Sequence, residues 1–297
     1  MYHIPALLNE SIEGLAIKPN GVYIDVTFGG GGHSKAILNR LNRGQLIAFD
    51  RDEDTLNNAI QDERFLLIHS NYRHITSYLK FFNSFPVDGI LADLGVSSHQ
   101  FDTDSRGFSA RFHARLDGRM SQSSDKTAWD VINYYEEVNL IKLFREYGEI
   151  NNSKKFTSKI ISERNKKSID TTTELFEIVK PLAEKGKENK YMAQIMQSLR
   201  IEVNNEINEL ALFLQQVPSL LKPKGRFVVI SYHSLEDRLV KNILKSGNLN
   251  GDIEKDFFGN VKTIFNSITR KPIVPSENEL NQNSRARSAK LRIAEMN

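Results

Sequence analysis

The sequence predicts an α/β fold: a parallel sheet interrupted by a helical insert. Three observations carry this. Short apolar runs alternate with helical patterns over residues 22–94, the texture then turns polar and afterwards helical as far as residue 216, and strand texture returns at residue 225. Alternation at this spacing marks βαβ units, whose crossovers are right-handed. The last third has too few strands for a sheet of its own. It is therefore expected to fold with the first third, as residues 1–105 plus 201–297, around an insert of residues 106–200.

The elements follow in order. VYIDVTF (22–28), QLIAFD (45–50), RFLLIHS (64–70) and VDGILADL (87–94) are short and rich in Val, Ile, Leu and Phe, as buried strands are. Helical patterns lie between them, from His33 to Leu41, Asp52 to Gln61 and Ile75 to Phe82. Residues 95–126 are polar, with Gly, Ser, Arg and Asp and little periodicity. Residues 127–216 read as helix throughout, with an N-cap offered by Thr171 to Thr173 before Glu174 and a long run from Tyr191 to Gln216. GRFVVISYH (225–233) is the next strand, followed by a helix from Leu235 to about Lys245. VKTIFNSI (261–268) and AKLRIAE (289–295) are two more strands that could pair.

Composition excludes several classes. Hydrophobic residues make up 39% of the 297, enough for a sizeable core. There is no cysteine, hence no disulfide framework, thiolate metal site or Cys nucleophile, which fits a cytoplasmic location. The start, MYHIPALLNE, has no basic region before a long apolar run, so no signal peptide is expected, and no apolar stretch approaches the roughly 20 residues of a membrane span. Histidines and carboxylates show no metal spacing such as H-E-x-x-H. A net charge of +3 selects no partner, although local patches could.

The stretch DVTFGGGGHS places four glycines, Gly29 to Gly32, between a strand and a helix. Glycine is costly to order, so a backbone that must approach a ligand closely is the leading explanation. A P-loop needs Gly where Ser34 stands and Ser or Thr after Lys35. A dinucleotide fingerprint needs a third glycine where Ser34 or Lys35 stands. S-adenosylmethionine, which has no phosphate, remains. The next strand should then end in a carboxylate for the ribose hydroxyls, and it ends at Asp50. Asp50 also has the look of a helix N-cap. Tyr72, after the third strand, could stack on adenine or be an ordinary half-buried aromatic. Asp93 ends the fourth strand, at the edge where open α/β sheets bind ligands.

DVTFGGGGHS, DGILADLGVSSHQFD with RGFS, SLRIEVNNE, GRFVVISYHSLEDRLVK and NSRARSAKLR together resemble the MraW/RsmH family over nearly the whole chain, from His3 to about Ala294. The resemblance implies a Rossmann-like class I methyltransferase sheet with helices on both faces, interrupted by an all-helical domain for RNA recognition. It implies S-adenosylmethionine-dependent methylation of N4 of one cytosine of 16S ribosomal RNA, in the decoding region of the small subunit. The cofactor pocket carries over onto Gly31, Gly32, His33, Asp50, Tyr72, Asp93 and Gln100. A homodimer is compatible with it. This chain has Tyr72 where the family commonly has Phe, and His99 where it has Pro. Two departures put RNA contacts in question: D-M-R-M-D becomes Asp117-Gly-Arg-Met-Ser121, and H-P-A-T-R-T-F-Q becomes the segment from Asn189 to Gln197.

A cytosine amine is a weak nucleophile, its lone pair shared with the ring. Transfer calls for in-line orientation and an acceptor near N4. Asp93 and the carbonyls of Leu94 to Val96 are the candidates. The N-P-P-aromatic tetrapeptide of DNA amino-methylating enzymes is absent, so no DNA partner is expected. His233, at the end of a later strand, either touches the base or is satisfied by the next helix N-terminus, while Glu236 and Asp237 read as first-turn acids of that helix. Arg106, Arg111, Arg115 and Arg119 form one basic cluster; Arg285, Arg287, Lys290 and Arg292 form another. Each is a phosphate contact or a solvated face. Two rival readings stay open: a methyltransferase with another substrate, and a non-catalytic assembly factor of the small subunit.

Overall fold

The computed structural model describes residues 5–109, 111–253, 255, 257–258 and 263–297. In chain order the elements are α1 (Leu8–Leu15), β1 (Val22–Asp25), α2 (Gly32–Leu38), β2 (Gln45–Asp50), β3 (Phe65–His69), α3 (Ile75–Phe81), β4 (Val87–Asp93), α4 (Ser98–Asp102), α5 (Ala128–Tyr134), α6 (Glu137–Gly148), α7 (Ser153–Arg164), α8 (Thr172–Val179), α9 (Glu188–Asn204), α10 (Glu206–Leu220), β5 (Leu221–Ser231), α11 (Ser234–Ser246), β6 (Phe265–Ser267), α12 (Glu277–Gln282) and β7 (Lys290–Met296). They fall into two compact units, Met1–Gly95 with Ile207–Asn297, and Val96–Glu206.

The first unit is the sheet, in the order β3-β2-β1-β4-β5-β7-β6. β1 to β5 are parallel, and β7 runs antiparallel between β5 and β6. Alternate residues of one strand enter opposite cores. Ile47, Phe49, Ile90 and Phe227 join Phe213 and Leu214 of α10 on one face. Leu46, Leu91, Val228 and Ile230 join Ile12 and Leu15 of α1 and Ile37 of α2 on the other. A strand buried on both sides must be apolar throughout, which is why these segments read as continuous runs. This is the Rossmann-like sheet with helices on both faces, and the two last strands do pair.

Three local expectations change. The helix expected from Asp52 is a short 3-10 turn, Glu53–Asn58. Its EDTLNN sequence favours side-chain bonds to nearby backbone over a continued helix. The helix α1, which the apolar spacing of LNESIEGL supports, was not expected. The run from Tyr191 to Gln216 is two helices, broken at Asn205, whose φ of 52° is left-handed and tolerable for Asn. The strand expected over 261–268 is seen at Phe265–Ser267, while residues 261–262, like His3, lie outside the described residues.

The second unit is helical, with Phe144, Phe156, Ile160, Ile195 and Leu199 in its core. Thr171 caps α8 by accepting from the Glu174 amide. The expected domain borders, 105/106 and 200/201, differ from those of the two units. α9 continues unbroken to Asn204, whose side-chain amide donates to the Gly118 carbonyl at 2.8 Å and accepts from the Met120 amide at 2.8 Å. A border at residue 200 would cut that helix from its anchor. Arg106 is likewise tied inward, donating to the Met120 carbonyl at 2.9 Å.

Candidate active site

β1 and β4 are neighbours, and the strand order reverses at this point. The chain leaves β1 and builds β2 and β3 to one side, then returns to start β4 on the other. In open α/β sheets the crevice beyond the carboxyl ends of such strands is the ligand site. Three strands end there in an acid: β1 at Asp25, β2 at Asp50 and β4 at Asp93.

The glycine loop after β1 is shaped from within. Gly29 and Gly31 have φ of 52° and 75°, the left-handed region that favours glycine. A Cβ on Gly32 would lie 2.2 Å from Pro5. Gly30 alone faces open space, with nothing within 4 Å of a Cβ built there. Three of the four glycines thus have reasons internal to the fold, and the fourth is exposed, its backbone left bare. α2 then starts at Gly32.

Asp50 braces this loop. Its Oδ2 accepts from the Gly29 amide at 2.8 Å and its Oδ1 from the Asp52 amide at 2.9 Å. The cap of the following turn is Asp52, which accepts from the Asp54 amide, so Asp50 is not the N-cap. Burial pushes the Asp50 carboxyl up to about 6 against those two bonds. Asp25 is buried, accepting from the Ser34 hydroxyl at 2.7 Å and the Thr27 amide at 3.1 Å, and burial raises it too.

Asp93 sits between them and β5. The Tyr232 hydroxyl donates to its Oδ1 at 2.9 Å. Its Oδ2 lies 3.7 Å from Nδ1 of His33, and its side chain is 21% exposed, enough to meet a ligand. Burial pushes its carboxyl up to about 7; the Tyr232 bond opposes this, and the charges of Asp25 and Glu236 add to it. His33 is buried and its Nε2 is 3.2 Å from the Ala6 carbonyl.

Other expected site residues are placed differently. Tyr72 is half-buried with its ring 5.2 Å from that of Phe213, so it packs on the core as well as bordering the end of β3. Gln100 belongs to the second unit, where it closes a capping box at the start of α4 with Ser97. His233 caps α11, its Nδ1 facing the Glu236 amide at 3.5 Å and its Nε2 3.0 Å from a Glu236 carboxylate oxygen. Of its two readings, the helix N-terminus is the one these contacts describe.

Both basic clusters are partly spent inside the fold. Arg106 is buried, and Arg119 is held by both oxygens of Asp117 and by the carbonyls of Gln122 and Ser124. Arg111 and Arg115 are exposed. Arg292 is bidentate to Asp237 at 2.7 and 3.1 Å, with Lys290 3.7 Å from the same acid, while Arg285 and Arg287 are exposed. The divergent segment from Asn189 to Gln197 also serves the fold: Gln194 and Gln197 donate to the carbonyls of Gly148 and Tyr147 at the end of α6.

Sequence reasoning missed Asp25, Ser34 and Tyr232. Asp25 ends its strand in the same way as Asp50 and Asp93, which was a usable signal. Tyr232 gave none beyond its place just after β5.

The chain matches the model of the MraW methylase family over residues 1–297. It is 55% identical over 295 residues to a ribosomal RNA small subunit methyltransferase H of Flavobacterium johnsoniae, covering 99% of this chain and 97% of that protein. The protein of the same name from Christiangramia forsetii is 53% identical over 294 residues, with the same two coverages of 99% and 97%. That of Cytophaga hutchinsonii is 51% identical over 297 residues, covering 99% of each.

Proposed function

This chain belongs to the MraW methylase family, and from that premise we propose that it methylates N4 of one cytosine in the decoding region of 16S ribosomal RNA. Relatives named as ribosomal RNA small subunit methyltransferases support an RNA substrate. The N4 position rests on the motif resemblance and on one observation: Asp93 ends the strand at the sheet's reversal point, with a carboxyl pushed up to about 7. A carboxyl with that affinity for protons is suited to take one from an amine as it is methylated.

S-adenosylmethionine is the methyl donor, and bound it supplies an electrophilic methyl on a positively charged sulfonium. The residues present fit such a group. Buried Asp25 and half-buried Asp50 and Asp93 line one edge, and burial raises all three carboxyls, which a cationic ligand would counter. The bare backbone at Gly30 gives it room. Asp50 keeps lone pairs beyond its two amide bonds to accept from ribose hydroxyls. By resemblance, Gly31, Gly32 and His33 would hold the donor, Tyr72 would lie beside its adenine, and Gln100 would join the pocket. Asp93 orients the amine and accepts its proton. The carbonyls of Leu94 to Val96 line the same turn as secondary acceptors. The target base must leave its stack to enter.

Transfer of labelled methyl from S-adenosylmethionine to small-subunit RNA, followed by mass mapping, tests this. The expected result is label on N4 of one cytosine, and loss of that methyl in a strain lacking the gene. Cofactor binding with no transfer to any RNA would replace the enzyme with an assembly factor. Label at another atom or on another substrate would replace the N4 assignment alone.

A further inference from the structure

We propose that Tyr232 is a positioning residue for the methyl transfer, fixing which oxygen of Asp93 receives the proton and keeping that carboxylate ready for it. This rests on Asp93 being the proton acceptor, the reading given above.

The geometry assigns one partner to each oxygen. Tyr232 follows β5, and its hydroxyl donates to Oδ1 of Asp93 at 2.9 Å. The backbone of Asp93 is pinned as well, its amide donating to the Thr27 hydroxyl at 2.7 Å. With Oδ1 engaged, the proton goes to Oδ2. That oxygen faces Nδ1 of His33 at 3.7 Å. The Ala6 carbonyl can only accept, so a neutral His33 ring bonded to it carries its hydrogen on Nε2 and presents Nδ1 as an acceptor. The Tyr232 bond stabilises the ionised carboxylate before transfer. The atoms balance. The amine nitrogen bonds to the methyl carbon as the carbon–sulfur bond breaks with its pair going to sulfur. The N4–H bond gives its pair to nitrogen, and its proton goes to Oδ2.

The groups facing Asp93 are Asp25 from β1, His33 from α2, Tyr232 after β5 and Glu236 from α11. The two acids raise its proton affinity and the tyrosine hydrogen bond lowers it. Tyr232→Phe keeps the ring and removes only the hydrogen bond. A carboxyl that loses one donor to its charged form should titrate about one pH unit higher.

The test is a carbon-13 carboxyl titration of the full chain without cofactor, with the Asp93 signal identified by its absence in Asp93→Asn. The expected result is a midpoint about one unit higher in Tyr232→Phe. Single-turnover transfer should then show the same upward displacement of its acid limb, with the rate recovering at high pH and the KM for RNA unchanged. A purely structural tyrosine would give no such recovery. An unshifted carboxyl midpoint overturns the role of Tyr232. A shifted midpoint with an unshifted rate limb removes Asp93 as the acceptor and the positioning role with it, leaving the hydrogen bond as a feature of the fold.

Discussion

The carboxyl edge of the sheet holds its acids in the opposite way to the second unit. In Val96–Glu206, Glu174 accepts from Lys167 and from the amides of Asp170 and Thr171, which draw its carboxyl down to about 2. Asp170 accepts from Trp129 and Ser168 and is also lowered. At the carboxyl edge of the sheet, Asp25, Asp50 and Asp93 are all raised, burial being the first cause each time. One strand repeats the contrast within itself. Asp88, near the start of β4, lies between Lys18 and Lys222 and is lowered, whereas Asp93 at its end is raised. The chain can pair an acid wherever folding alone is served. Acids desolvated with no lysine or arginine bonded to them are a cost to the free protein, and a cationic ligand would offset it.

The sharpest way to break this comparison is Asp93→Asn, which removes charge and keeps shape. Single-turnover transfer should fall by roughly 100-fold or more, the scale of losing one oriented electrostatic group, while cofactor affinity falls much less. A loss of affinity with an intact rate at saturating cofactor and RNA would make Asp93 a binding residue.

Asp50→Ala should act on binding. S-adenosylmethionine affinity, read by calorimetry, should weaken by roughly 1.5–3 kcal/mol, the scale of a hydrogen bond to a charged group. The change also takes the partner from the Gly29 amide, so the loop loses its brace. Unchanged affinity would remove Asp50 from the ribose role.

Asn204→Ala probes the other unit. It strips the Met120 amide and the Gly118 carbonyl of a buried partner, so denaturant unfolding should show a loss of about 1–3 kcal/mol. Cofactor affinity should stay within twofold, a change of less than about 0.5 kcal/mol. A large fall in affinity with unchanged stability would reverse the division of labour drawn here.

The smallest effect is expected at the C-terminal basic cluster. Charge removal at Arg285 and Arg287 should flatten the salt dependence of RNA binding by about one unit of slope per lost phosphate contact. Arg292→Gln should leave the slope alone and lower stability, because it abandons Asp237. An unchanged slope in the first pair makes them a solvated face.

What could be read from the sequence follows the same line. The central strands β2, β4 and β5, buried on both faces, advertise themselves as apolar runs, and with them the edge where Asp50 and Asp93 lie was legible. The helix breaks were not, because Asn205 adopts a left-handed turn that its neighbours do not announce. Nor were the partners of charged side chains. Nothing in the sequence shows that Asp117 holds Arg119 or that Glu236 lies beside the His233 ring. The glycines were legible as a site for an incomplete reason, since Gly31 and Gly32 also avoid Phe28 and Pro5.

The discontinuous first unit sets an order of assembly. β4 pairs with β5 at Asp93↔Ile230, yet the whole of Val96–Glu206 lies between them in the chain. The second unit lies wholly before β5 in the chain, so as the polypeptide emerges from N- to C-terminus its helices can close before β5 exists. Until then any sheet made by β1 to β4 would have an unpaired edge at β4. Asp93 has no tyrosine beside it until β5 pairs with β4, and β6 and β7 can extend the sheet only after that.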